Sequence, residues 1–174
     1  MARGIVGRVR LRAFLGVIAL AGALTCVDAT AAPLCKDGWW ADVMLGSYHI
    51  HPYRQFDEFN PGAGLECWFK PQWGALTGYY RNSLNRPSFY AGAMYAPEFA
   101  HWRWIRLGLM GGVISGYNYG KFGIGGENNH TGPVLAPAVI TRFGRFAVNF
   151  ILIPPIPQDN LPFTVGFQAK YRFK

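Results

Sequence analysis

FTVGFQAKYRF, residues 163–173, is the stretch that decides the fold. Its odd positions read Phe163, Val165, Phe167, Ala169, Tyr171 and Phe173. Its even positions read Thr164, Gly166, Gln168, Lys170 and Arg172. One apolar and one polar face at period two is the signature of a β-strand. Its length of eleven residues matches the roughly 9–11 that a tilted strand needs to cross a bilayer. Phe173 also supplies the near-terminal aromatic that outer-membrane assembly machinery commonly reads, although Lys174 follows it.

Working back from this strand, seven more segments have the same character: 42–51, 63–70, 73–82, 88–97, 103–115, 133–142 and 145–153. The total is even, as a single-chain bacterial barrel requires. The connections 71–72, 98–102 and 143–144 are short, whereas 52–62, 83–87, 116–132 and 154–161 are mostly longer. Short periplasmic turns alternating with long outer loops are the barrel pattern. The expected fold is therefore all-β: an eight-stranded antiparallel transmembrane β-barrel of outer-membrane type, with both ends periplasmic. A secreted β-sandwich shares the period. It accounts less well for the apolar row Phe146, Val148, Phe150, Leu152, and for Trp and Tyr crowding towards strand ends. Trp39-Trp40 reads as an interfacial anchor ahead of the first strand.

The first residues give the compartment. Arg3, Arg8, Arg10 and Arg12 precede an apolar run of 13 residues, 13–25. That run is too short to span a bilayer as a helix, which takes ~20 residues. Ala29-Thr30-Ala31 offers the small residues of a signal-peptidase site, so cleavage is expected after Ala31. The residues before Cys26, Ala23-Leu24-Thr25, match a lipobox poorly. The organisation is thus a signal peptide over 1–31 and a single barrel domain over 32–174, destined for the outer membrane of a Gram-negative bacterium.

Removing the signal lowers the net charge from +8 to +5, because Arg residues dominate the leader. No Lys/Arg cluster remains that would suit nucleic acid. The residual charge suits lipid phosphates or simply a solvated basic surface. Nothing in the chain calls for a metal or a cofactor, and a monomer is expected. Cys35 and Cys67 survive cleavage, and an oxidising periplasm permits a disulfide, but sequence alone does not show that they meet. The second face of 145–153 carries Ala147, Asn149, Ile151 and Ile153, and 88–97 is apolar or small on both faces. Eight strands enclose too little space for an aqueous channel. A largely apolar lumen then means either a filled core or a slot for a hydrocarbon chain.

Two blocks carry a resemblance. Residues 74–95 read GALTGYYRNSLNRPSFYAGAMY, with Arg81-Asn82-Ser83 closing a strand and Ala91-Gly92 in the next. Residues 132–155 read GPVLAPAVITRFGRFAVNFILIPP. Together with Tyr48-His49 and Gly62-Ala63-Gly64, they resemble in order and spacing the lipid A palmitoyltransferase (PagP) family. The resemblance covers most of residues 43–173 at low identity. It implies an eight-stranded barrel that moves an acyl chain from a phospholipid to lipid A, with His, Asp and Ser at the extracellular rim. The implied catalytic residues are His49, Asn82 and Ser83. The strand reading independently places His49 and Ser83 at one end of the barrel.

Acyl transfer needs a base for an attacking hydroxyl and donors for the oxyanion. His49 is the candidate base, with His51 as its rival on the same strand. Asn82 stands where the family has Asp. Asn can orient an imidazole but cannot stabilise imidazolium by charge, and Asp57 or Glu58 could substitute. On this reading Asn82→Asp preserves or raises activity. The family's amphipathic N-terminal helix is not evident. Pro133 and Pro137 within a strand, with Pro154-Pro155 at the end of the next, suit a laterally open wall, because proline cannot donate to a ladder. Pro137, Gly92 and Met94 are the expected substrate-binding residues. Met94 falls where the family's lumen floor is Gly, so a preference for acyl donors shorter than palmitate is expected. The other reading is a non-catalytic barrel that binds a hydrophobic ligand or serves as a membrane anchor.

Overall fold

The computed structural model of the chain describes residues 34–124 and 130–174. The expected signal peptide, residues 1–31, lies outside them. Eight long strands follow one another among the described residues: β1 (Gly38–His49), β2 (Gly62–Lys70), β3 (Trp73–Arg81), β4 (Pro87–Tyr95), β5 (Ile105–Ser115), β6 (Thr131–Phe143), β7 (Phe146–Ile153) and β8 (Thr164–Arg172). Each pairs antiparallel with the next. β1 also pairs with β8, so the sheet closes on itself. A closed barrel leaves no free sheet edge at its ends, the condition for crossing a bilayer with strands.

Strand boundaries depart from the sequence reading by no more than four residues, and most at β1. Trp39 and Trp40 lie within β1, opposite Cys67 and Glu66 of β2. They are part of the wall rather than ahead of it: the Trp40 side chain is buried inside, whereas Trp39 is half-buried at the strand end and stacks on Phe173. The turn expected at 98–102 spans 96–104, with a 3-10 turn (Glu98–Ala100) and a two-residue ladder (His101–Trp102) against the start of β5. Pro97 has no N–H to continue β4, so the strand stops at Tyr95.

The faces are sorted opposite to those of a soluble protein. On β8 the polar residues Thr164, Gln168 and Lys170 are buried, whereas its outward neighbour Tyr171 is 41% exposed. Val43, Leu45, Leu65, Leu107, Leu109, Leu135 and Leu152 likewise point out. Aromatic pairs mark the two ends of this apolar belt: Trp73–Tyr95, Trp104–Phe143 and Phe146–Tyr171 at the turn end, Tyr79–Phe89 at the loop end. Such girdles sit at the membrane–water interfaces of barrels.

The interior is a filled core, and only partly apolar. Lys170 Nζ lies 2.6 Å from Glu66 Oε2, with both side chains buried. Trp68 Nε1 and Asn149 Nδ2 also donate to Glu66, at 2.8 and 3.2 Å. Tyr90 Oη donates to Asp42 Oδ1 at 3.0 Å, and Gln168 Nε2 reaches the same Tyr90 oxygen at 3.2 Å. Buried charges persist when paired and hydrogen-bonded like this. The facing wall supplies the apolar part, chiefly Leu76, Tyr80, Met94, Met110, Ile114, Ala136, Ala138 and Ile151. Cys35 and Cys67 form a disulfide that ties the N-terminal segment to β2.

Candidate functional site

The site is built at the end carrying the long connections, the outer end of such barrels. A bulge shapes it. The β1–β8 register shifts between Met44 and Gly46. Below the bulge Trp40 and Asp42 point inward; above it Ser47 and His49 do. Gly46 is required there, because a Cβ would collide with the carbonyl oxygen of Glu58. That carbonyl accepts the Ser47 N–H at 2.9 Å, so the loop over residues 50–61 is laid against the strand.

His49 therefore turns into the barrel and is 1% exposed. Its ring stacks on Phe56 with centroids 4.4 Å apart. Neither ring nitrogen has a hydrogen-bond partner among the described residues. His51 lies past the strand end with a left-handed backbone (φ 52°) and an exposed side chain. The two histidines, read from sequence as sharing a face, are thus separated by the end of β1.

Ser83, just past β3, is buried and meets Ser47, Oγ to Oγ, at 3.1 Å. Ser47 donates in turn to Asn60 Oδ1 at 2.5 Å. The structure brings Ser83 together with Ser47 and Asn60, and shows no hydrogen bond from Ser83 to His49. Ser47 belongs to no motif in the sequence, and only its position two residues before His49, on the same face, marks it. Asn60, Phe56 and Tyr117 had no comparable signal, because loops place them.

Asn82 is fully buried and fully engaged. Its Nδ2 donates to Ser88 Oγ and to the Gly116 carbonyl, both at 3.0 Å. Its Oδ1 accepts the N–H groups of Leu84 and Arg86 at 2.9 and 3.0 Å. No capacity remains for an imidazole. The side chain closes the 82–86 turn and ties it to the next loop, which accounts for Asn at this position. Asp57 Oδ1 accepts the Phe59 N–H within its own turn. Glu58 is the acid whose charge acts on His49.

Below the rim the lumen narrows to a cavity of about 30 Å³ lined by Ser47, Ser83, Tyr80, Tyr117, Ile151 and Leu161. That is room for about one water molecule. Tyr117 comes from the loop after β5, and its hydroxyl lies 3.0 Å from that of Tyr80. Burial, then the neighbouring Tyr80, holds the Tyr117 phenol well above its usual pKa, so it stays neutral. Met94 points inward as expected and is 1% exposed, packed in the core. Gly92 also faces inward. A Cβ there would strike the Gly111 carbonyl and Gly112 Cα, so its glycine allows β4 and β5 to close the barrel.

The wall itself has a seam. The β6–β7 register runs from Phe143↔Phe146 only to Ala138↔Ile151. Residues 132–137 have no ladder partner on β7, although they pair throughout with β5. Phe143 and Phe146 flank the two-residue turn Gly144-Arg145, so odd-numbered β6 residues turn their backbone groups to β7. The Arg142 N–H, of opposite parity, reaches Trp104 on the β5 side at 2.8 Å. Pro133 and Pro137 thus lack their N–H groups on the β7 side, and the ladder stops at Pro137. Beside the seam lies an apolar groove of about 290 Å³ lined by Phe122, Pro133, Val134, Pro154, Pro155 and Ile156.

The closed antiparallel wall, the apolar belt and the aromatic girdles decide the architecture. The chain is an outer-membrane β-barrel. No protein-family model and no curated protein matches its sequence. Among solved structures it is similar to the Yersinia pestis outer membrane protein Ail, determined in a phospholipid bilayer nanodisc. That match has 13% identity and a TM-score of 0.42, covering 78% of this chain and 99% of the other.

Proposed function

We propose that this barrel takes an acyl chain from an outer-membrane phospholipid through the β6–β7 seam and transfers it, at the outer rim, to a hydroxyl of lipid A or a related glycolipid. The hydroxyl proton passes to the lysophospholipid that is released. The seam carries the reading: a proline-terminated ladder beside an apolar groove is a portal fit for hydrocarbon. The rim supplies chemistry. His49 is a buried base with both nitrogens uncommitted, and Ser83 and Ser47 are hydroxyls on the inner side of the same end. Entry of a tail requires Tyr117 to move, since it fills the lumen below the rim. Met94 then sets the depth available, favouring donors shorter than palmitate, and Met94→Gly moves the optimum to longer chains. The protein works as a monomer, with phospholipid and lipopolysaccharide as its partners.

A non-catalytic barrel that binds a hydrophobic ligand is the second reading. It is favoured by the engaged Asn82 amide and by the lack of a His49–Ser83 bond. Mass spectrometry of lipid A from cells with and without the protein separates the two. An added acyl group that disappears in His49→Ala and Ser83→Ala supports transfer. Unchanged lipid A, with phospholipid still retained by the purified barrel, gives the second reading.

A further inference from the structure

The opposite, periplasmic mouth holds a cavity of about 160 Å³ that the rim chemistry does not use. Arg106, Arg142, Lys170 and Arg172 line it, against Asp37 as the one acid among the described lining residues. Its side walls are two tryptophans that hold the cations. Arg142 Cζ and Lys170 Nζ each lie 5.1 Å from a Trp40 ring centroid. Arg106 Cζ lies 5.6 Å from that of Trp68. Lys170 is neutralised by Glu66. Arg106 and Arg142 have no carboxylate within ion-pairing distance among the described residues. Arg106 Nη2 donates to the Pro71 and Ala96 carbonyls at 2.7 and 2.8 Å, while its Nε is buried without a partner. Arg142 spends only Nε, on the Gly144 carbonyl at 3.3 Å. Arg142 also feels the like charges of Arg172 and Arg106.

Arg172 spends its Nε on the Lys174 backbone oxygen at 3.2 Å, and Arg106 is attracted by Glu98 and Asp37. Arg142 has no such acid acting on it among the described residues and shares one half-enclosed space with both, so the mouth keeps uncommitted guanidinium donors under a net positive charge. Stacking on tryptophan pre-orders planar donors that match phosphate oxygens. We propose that this mouth is a binding site for a soluble, multiply charged oxyanion of the phosphate class, such as a phosphate monoester or a diphosphate. The cavity is framed by inward-facing side chains, with Trp40, Trp68, Ala147 and Lys170 all buried. A lipid phosphate would have to lift over the rim while its tails stayed in the bilayer, so the solute is the assigned source. The site is independent of acyl transfer at the other end.

Calorimetric titration of inorganic pyrophosphate into the full barrel in uncharged detergent tests it. Saturable 1:1 binding that weakens steeply between 50 and 500 mM salt is expected. Arg142→Gln and Arg172→Gln each weaken it tenfold or more, whereas Lys121→Gln in an outer loop leaves it unchanged. Absence of saturation, or equal binding in wild type and both arginine variants, overturns the site. In nanodiscs, pyrophosphate affinity stays the same when phosphatidic acid is added to phosphatidylcholine. Loss of pyrophosphate binding in that arm overturns the assignment to a solute and gives the mouth to lipid headgroups.

Discussion

The Asn82 side-chain amide donates to the Gly116 carbonyl across 3.0 Å, joining the loop after β3 to the loop after β5. An aspartate at this position loses both donors and sets a carboxylate oxygen against a carbonyl. Asn82→Asp is therefore expected to destabilise the barrel by about 2–3 kcal/mol, the cost of unsatisfied buried polar groups. The residue pattern alone pointed to neutral or improved activity. Urea unfolding in detergent measures the difference, and an unchanged midpoint would show that the turn does not depend on this amide.

Lys170 and Glu66 form an ion pair shielded from water, with further bonds to Glu66 from Trp68 and Asn149. Lys170→Met leaves a buried carboxylate without its cation and is expected to cost about 3–5 kcal/mol. Adding Glu66→Met to it removes the stranded charge and restores part of that loss. A double-mutant cycle by equilibrium unfolding checks this; additive losses would mean that the two groups do not interact.

Pro137→Val returns an N–H to the seam. The β6–β7 ladder can then extend past Ala138, adding about 0.5–1.5 kcal/mol for a net hydrogen bond. The variant is expected to melt higher and to take up phospholipid more slowly. Faster uptake, or a lower melting temperature, would count against the seam as the portal.

The Cys35–Cys67 bond closes a loop spanning 32 positions. In the chain-entropy account such a loop stabilises by about 3.5 kcal/mol. Cys35→Ser with Cys67→Ser should lower stability by this order while leaving the barrel closed, as read by the β-sheet circular dichroism of the folded state.

The strands and their order were legible because the period-two alternation of β8 repeats along the chain with turns between. Side-chain direction was less so. Parity carried up from Trp40 and Asp42 would send His49 outward. The bulge at Met44–Gly46 reverses it, and its only trace in the sequence is a glycine among many. The polar interior was half visible: Gln168 and Lys170 stood out as one face, but their partners Asp42, Glu66 and Asn149 come from other strands. The rim contacts of Ser83 with Ser47 and Asn60 depend on a loop folding back, which no local pattern encodes. Proline at 133 and 137 did announce the seam, because a missing N–H acts the same way wherever the strand lies.

The prolines of β6 also bear on the journey to the membrane. An unpaired stretch of strand is ordinarily a template on which another chain can build. Along residues 132–137 the groups facing outward from the ladder lack donors at Pro133 and Pro137, so an incoming strand meets three carbonyl acceptors but a single N–H, that of Leu135. On the proposed function, the stretch that would admit hydrocarbon is at the same time a poor template for a second β-strand. A chain crowded among unfolded barrel precursors in the periplasm thereby keeps an opening without offering a seed for aggregation.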